Sequence, residues 1–129
     1  IERNEEMAQI AEENIKIADK LKNINLIRGD AVEVLPCLNK SYDVIFLDGA
    51  KGQYPEFLKE CLRMLKPKGL LISDNILYKG MVADNSLLVR RKKTLVTRLR
   101  AYLKILCESQ ELDTSIIPIG DGVAISIKR

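Results

Sequence analysis

The chain predicts an α/β fold with a mainly parallel sheet, and three observations carry that expectation. Helical patterns alternate with short apolar runs along the chain, which is how sequences built from strand–helix–strand units read. The stretches "YDVIFLD" (residues 42–48) and "LLISD" (residues 70–74) each hold a continuous apolar run, 44–47 and 70–72, that does not alternate, as befits strands covered on both faces. The chain then closes on "TSIIPIGDGVAISIKR", two β-rich stretches around Gly120-Asp121-Gly122, a hairpin signal.

Each element follows from its local pattern. "NEEMAQIAEENIKIADKL" places Met7, Ile10, Ala11, Ile15, Ala18 and Leu21 mostly three or four apart, with its acids early, as an amphipathic helix and its dipole favour. "INLIRGDA" reads as a short strand entering a Gly-Asp turn, and "AVEVLPCL" as a short helix broken by Pro36. "QYPEFLKECLRMLKPKG" is a helix that tolerates Pro55 in its first turn and stops at Lys-Pro-Lys-Gly. "NILYKGMVADN" is a loop. "SLLVRRKKTLVTRLRAYLKILCES" is one long helix with Leu88, Leu95, Leu99, Leu103 and Leu106 as its core face.

Composition narrows the chemistry. A single domain spanning residues 1–129 is expected, with 47% hydrophobic and 30% charged residues as in ordinary globular proteins. No apolar run is long enough to suggest a membrane span or a signal peptide, so a cytoplasmic protein with no membrane partner is expected. Cys37, Cys61 and Cys107 are odd in number and lack CxxC spacing, which argues against a disulfide framework or a zinc site. There is no histidine, so a general base must be Lys, Asp, Glu, Tyr or Cys. The net charge of +3 is unevenly spread: acids crowd the first fifteen residues and bases crowd residues 90–104.

The strand ends carry the functional signal. Asp30, Asp48 and Asp74 each close a predicted strand at its carboxyl end, the edge where open α/β sheets bind ligands. If the strands before Asp48 and Asp74 are neighbours, two carboxylates and the Asn75 amide could share one cation. Such hard oxygen donors suit Mg²⁺ or Ca²⁺ and not zinc. A strand-end acid can equally be a helix cap or turn former. Lys51 can be a solvated loop lysine or, beside a cation, a base. Glu2 reads either as an acidic helix start or as a ribose ligand. Tyr54 and Tyr78 read as partly buried aromatics. On the long helix Arg90, Lys93, Arg100 and Lys104 form a basic stripe flanked by Arg91 and Arg98. It is either a solvated face or, with no acid in residues 87–107, a surface for a polyanion.

"IERNEEM", "GDAVEVLP", "YDVIFLDGAKGQY", "LKPKGLLISDN" and "LYKGMV" occur in the order and spacing of the cation-dependent class I O-methyltransferases, and the chain resembles that family from Ile1 to Arg129. The most specific feature is the D-x-x-K motif at Asp48, followed 26 residues later by Asp74-Asn75. The resemblance implies a Rossmann-like class I methyltransferase sheet, mostly parallel with a C-terminal antiparallel hairpin. It implies S-adenosylmethionine as cofactor, contacted by Glu2, Asp30, Ala31 and Asp48, and a divalent cation such as Mg²⁺ held by Asp48, Asp74 and Asn75, with Lys51 as catalytic base. The first strand and its glycine-rich loop are absent, so the resemblance implies a partial methyltransferase domain that alone binds cofactor poorly and is inactive. Bacterial relatives that methylate 5-hydroxyuridine at the tRNA wobble position are the nearest likeness. On that reading Tyr78, Lys79, Arg90, Lys93, Arg98 and Arg100 meet tRNA. A small catechol-like or caffeoyl-type phenol is the alternative substrate, and a homodimer is expected. A phosphorylatable receiver domain also carries "DVIFLD", but Gly-Ala-Lys follows here where receivers have Met-Pro.

Overall fold

In the computed structural model, residues 1–18 and 23–129 are described, and they form two compact units, Ile1–Leu38 and Asn39–Arg129. Leu21, expected on the first helix, lies outside the described residues.

The larger unit holds the sheet. Strands β1 (Tyr42–Leu47), β2 (Leu65–Asp74), β3 (Leu112–Ile117) and β4 (Val123–Lys128) lie in the order β1-β2-β4-β3. β1 and β2 pair parallel, while β4 runs antiparallel to both β2 and β3. Three strands therefore share one direction; the antiparallel β3–β4 pair is the hairpin the sequence predicts, and the pairing of β4 with β2 is supplied by the structure. Insertion of β4 between β2 and β3 leaves β1 and β3 as the edges.

The helices of this unit are α3 (Tyr54–Met64), which carries the chain from β1 to β2, and α4 (Lys93–Glu108), which carries it from β2 toward β3. α3 ends at Met64, before the expected Lys-Pro-Lys-Gly stop, because Leu65 already pairs with Tyr42 on β1. The register then jumps from Leu65 to Leu70, so residues 66–69 bulge out of the ladder. Gly69 permits this, since a Cβ there would lie 2.8 Å from the Lys66 carbonyl oxygen and 3.0 Å from that of Asp43. The Lys128 amine donates to the carbonyls of Leu62 (2.7 Å) and Leu65 (3.0 Å), satisfying acceptors at the end of α3.

α4 is shorter than the sequence suggests. Residues 86–92 are not continuous with it: Asn85–Leu87 and Arg90–Lys92 are separate single turns of 3₁₀ helix. Its buried face is Val96, Leu99, Tyr102 and Leu106, whereas Leu95 and Leu103 are only half-buried and Leu88 lies off the helix. The rotation toward Tyr102 has a steric cause. Ser73, Ala124 and Ser126 are fully buried small residues on β2 and β4, and they leave room for a large ring. The Tyr102 and Ser73 hydroxyls are 2.6 Å apart, and Ser126 and Thr114 hydroxyls 2.8 Å, so the polar atoms of that layer are satisfied. β1 is not covered on both faces as its apolar run suggests: it lies at a sheet edge, and on the opposite face its Val44 and Phe46, with Ile127 of β4, are exposed, Phe46 by 62%.

In the smaller unit, α1 (Glu5–Ile17) is capped by Asn4, whose Oδ1 accepts the Met7 N–H at 2.9 Å. Met7 and Ile10 are exposed and Ala8 is the buried residue of α1, so the predicted apolar stripe is only partly covered. "INLIRGDA" does not form a strand. Among the described residues it makes one parallel bridge, Glu2 with Arg28, and no longer ladder. α2 (Ala31–Val34) follows and tightens into a 3₁₀ turn, Leu35–Cys37, at Pro36.

Candidate active site at two strand ends

β1 and β2 are neighbours, and their last paired residues are Leu47 and Ser73. Asp48 and Asp74 stand at that shared edge, one just past β1 and the other closing β2, as the sequence predicts. What gathers the site is a residue that the sequence reading passes over. Tyr54 opens α3 and is fully buried. Its hydroxyl lies 2.9 Å from the Leu47 carbonyl oxygen and 3.0 Å from that of Asp74, so one phenol ties the two strand ends together.

Lys51 sits in the 3₁₀ turn between β1 and α3. It is no solvated lysine: its side chain is 13% exposed, and its amine donates to Asp48 Oδ1 at 2.5 Å and to the Tyr54 hydroxyl at 2.9 Å. Burial pushes the Tyr54 phenol above its ordinary range, and the charges of Asp48 and Asp74 push it further. Both carboxylates therefore act on the same hydroxyl. Behind it, Tyr54 meets Tyr102 edge-on, with ring centroids 5.2 Å apart at 67°, and Tyr102 reaches Ser73.

Asp74 Oδ1 accepts the Asn75 N–H at 2.7 Å, and Asn75 takes a left-handed φ of 54°, turning the chain sharply out of β2. The β3–β4 hairpin holds the loop that follows. Gly122 and Asp121 carbonyls accept from Ile76 and Leu77, and Asp121 Oδ1 accepts from Lys79 N at 2.5 Å. Gly122 has φ +82° with Leu77 packed where a Cβ would stand, so no other residue fits.

Asp48, Asp74 and Asn75 offer oxygen donors alone, the donor set of a hard divalent cation. Among the described residues no group of three His, Cys, Asp or Glu side chains forms a metal site. The candidate set has two acids and an amide. The fit rests on donor chemistry and on the adjacency of the two strand ends.

The predicted substrate residues divide. Tyr78 and Lys79 lie on the loop with left-handed φ of 44° and 57°, and the Lys92 amine stands 5.8 Å from the Tyr78 ring centre. Arg90 and Lys93 are exposed, though Arg90 is in a 3₁₀ turn and not on α4. Arg100 is not part of a solvated stripe. Its guanidinium donates to Val82 O (3.0 Å), Met81 O (2.9 Å) and Asn85 Oδ1 (2.8 Å), fastening the loop to α4. Arg98 donates to Gly52 O at 3.0 Å and lies 3.8 Å from Glu56. These two arginines are engaged within the protein, because the loop and the 3₁₀ turn leave backbone carbonyls facing α4.

In the smaller unit Glu2 and Asp30 are brought to one end of the bridge, since Gly29 N–H donates to Glu2 O at 3.0 Å. Both acids also serve locally. Glu2 Oε1 accepts the Asn4 N–H at 2.7 Å. Asp30 caps α2 through Val32 N–H (3.0 Å) and pairs with Arg3 (3.1 Å); these bonds hold its carboxyl below the usual range. Ala31 is the first residue of α2.

The model of the O-methyltransferase family matches residues 1–129. The chain belongs to that family. It is 27% identical to a catechol O-methyltransferase of Niastella koreensis over 138 aligned positions, covering 100% of this chain and 61% of the relative. A Staphylococcus aureus protein, provisionally named a caffeoyl-CoA O-methyltransferase, superposes with a TM-score of 0.90 at 36% identity. That match covers 98% of this chain and 62% of the other. The Podospora anserina methyltransferase PaMTH1, solved with S-adenosylhomocysteine bound, shares the fold at a TM-score of 0.86 and 23% identity, over 98% of this chain and 58% of its own. The chain spans 46% of one curated mycobacterial relative and 61% of the Niastella protein. No helix among the described residues is long and apolar enough to cross a membrane.

Proposed function

We propose that the protein containing this chain is a cation-dependent O-methyltransferase that moves the methyl of S-adenosylmethionine to an acidic hydroxyl. The observation that carries this reading is the Lys51 amine held between Asp48 and the Tyr54 hydroxyl, which in turn reaches the end of β2. Asp48, Asp74 and Asn75 would hold the cation, which when bound lowers the pKa of a substrate hydroxyl and orients it. Lys51 accepts the hydroxyl proton at Nζ, and its seclusion keeps bulk water from competing for that amine. S-adenosylmethionine supplies an electrophilic methyl, and the residues around it act mainly by holding the reacting oxygen in line. Glu2, Asp30 and Ala31 are assigned to the cofactor's adenosine. Names among the relatives and the cofactor product in PaMTH1 support the reaction class.

For the substrate we favour the 5-hydroxyuridine of a tRNA wobble position. Its support is the basic run of residues 90–93, with no acid in residues 87–107, next to Tyr78 and Lys79. A small phenol is the second reading, favoured by the relatives named for catechol and caffeoyl-CoA. Radiolabelled methyl transfer by the intact protein, offered undermethylated tRNA and catechol separately, tests both. Label in tRNA that disappears with chelator establishes the first. Label in catechol alone moves the substrate to phenols. No label in either, with Mg²⁺ present, rejects the reaction.

A further inference from the structure

We propose that Tyr54 is a positioning residue that aims the Lys51 amine, a role that rests on the reading of Lys51 as the base. A lysine amine is a tetrahedral centre on a flexible four-carbon stem, and by itself it has no preferred direction. Here two of its three N–H positions are fixed, one on Asp48 Oδ1 at 2.5 Å and one on Tyr54 Oη at 2.9 Å. With Cε and two bonds placed, tetrahedral geometry dictates the fourth direction. That direction is where a substrate proton would be taken.

Tyr54 is built for this task. A phenol has one proton to donate, and the carbonyls of Leu47 and Asp74 both compete for it, so a lone pair is left to accept from Lys51. The ring is fully buried and braced edge-on by Tyr102, so the oxygen has little freedom to follow the amine. Its two backbone partners belong to the strand ends that carry Asp48 and Asp74, so the amine is indexed to those acids. Asp48 is itself a candidate cation ligand. Tyr54 is thus the anchor of Lys51 that cation binding does not claim.

The test is made on the intact protein with Tyr54→Phe, Asp48→Asn, Lys51→Ala and the Tyr54→Phe/Lys51→Ala double variant. Trace acylation of lysines, read by mass spectrometry with exposed Lys59 as internal standard, reports how firmly Lys51 is held. Methyl-transfer kinetics report the consequence. Tyr54→Phe should raise Lys51 acylation severalfold and lower kcat by about 10- to 100-fold with KM for S-adenosylmethionine unchanged. It should cost nothing more when Lys51 is already alanine. Unchanged acylation in Tyr54→Phe, or an equal further loss in the double variant, would overturn the proposal. Full transfer by Lys51→Ala rejects the base reading instead, and acylation then judges the Tyr54–Lys51 contact by itself. Should Tyr54→Phe fail to fold, Asp48→Asn decides. Lys51 staying protected there supports Tyr54 as its holder, and Lys51 becoming as reactive as Lys59 assigns the hold to Asp48 and refutes the role.

Discussion

Asp30 and Asp48 both follow a short β-like stretch, both precede a helical turn, and look alike in sequence, yet the structure employs them differently. Asp30 stands beyond a single bridge and both its oxygens have partners: Val32 N–H on one and Arg3 on the other. Asp48 stands beyond a strand of six residues paired along a sheet, is 51% exposed, and has one oxygen bonded to Lys51. An acid is free for chemistry when the sheet already fixes the backbone around it. Where a lone bridge leaves the turn to be secured locally, the acid helps secure it. Arg100 and Arg90 repeat the contrast among the cations. Arg100 ties three oxygens of a loop, while Arg90 lies exposed on a 3₁₀ turn.

The largest expected effect breaks the Asp48 side of this comparison. Lys51→Ala should lower kcat by about 10²- to 10⁴-fold, the range of a lost general base, with melting temperature little changed. Steady-state transfer beside a thermal melt separates these quantities. Next comes the division among arginines. Arg90→Glu with Lys93→Glu should weaken transfer to tRNA and lower the salt slope of tRNA affinity by about one per cation removed, while sparing catechol. Arg100→Ala should instead impair both substrates alike, since it frees the loop that carries Tyr78. Equal loss on both substrates in the first variant would remove the tRNA assignment.

Smaller effects sharpen the boundary between site and scaffold. Tyr102→Phe leaves the buried Ser73 hydroxyl without its partner and should destabilise by about 1–3 kcal/mol in denaturant unfolding. Lys51 acylation should not change with it. The smallest effect belongs to Asp30. Its folded carboxyl is held below the ordinary value of 3.8, so its ionised form stabilises the fold above that pH, and the contribution fades as pH falls through the lowered folded value. Asp30→Asn should flatten that part of the acid limb in a pH series of melts; an unchanged limb would show that the cap contributes nothing.

Much of this was legible because it is local. The apolar runs ending at Asp48 and Asp74 read directly as strands with acids at their carboxyl ends, and the Gly120–Gly122 signal read as a hairpin, since side-chain pattern and turn chemistry are properties of neighbouring residues. "INLIRGDA" misled because strand propensity is local but a strand needs a partner along its length, and here the pairing is one bridge, Glu2 with Arg28. The helix expected from residue 86 misled for a related reason: helical spacing continues upstream of Lys93, while the chain there breaks into two 3₁₀ turns.

The sequence by itself determined the two strands that end at Asp48 and Asp74, those acids, the lysine three residues past Asp48 and the closing hairpin. Only the tertiary structure decided which groups these residues meet. Tyr54 is three residues from Lys51 and twenty from Asp74, yet its hydroxyl touches both, because α3 returns the chain so that β2 lies against β1. Arg100 is claimed by carbonyls eighteen and nineteen residues away. A charge pattern shows that a group can form bonds, whereas the three-dimensional packing of distant backbone decides whether those bonds are made inside the protein or left for a ligand.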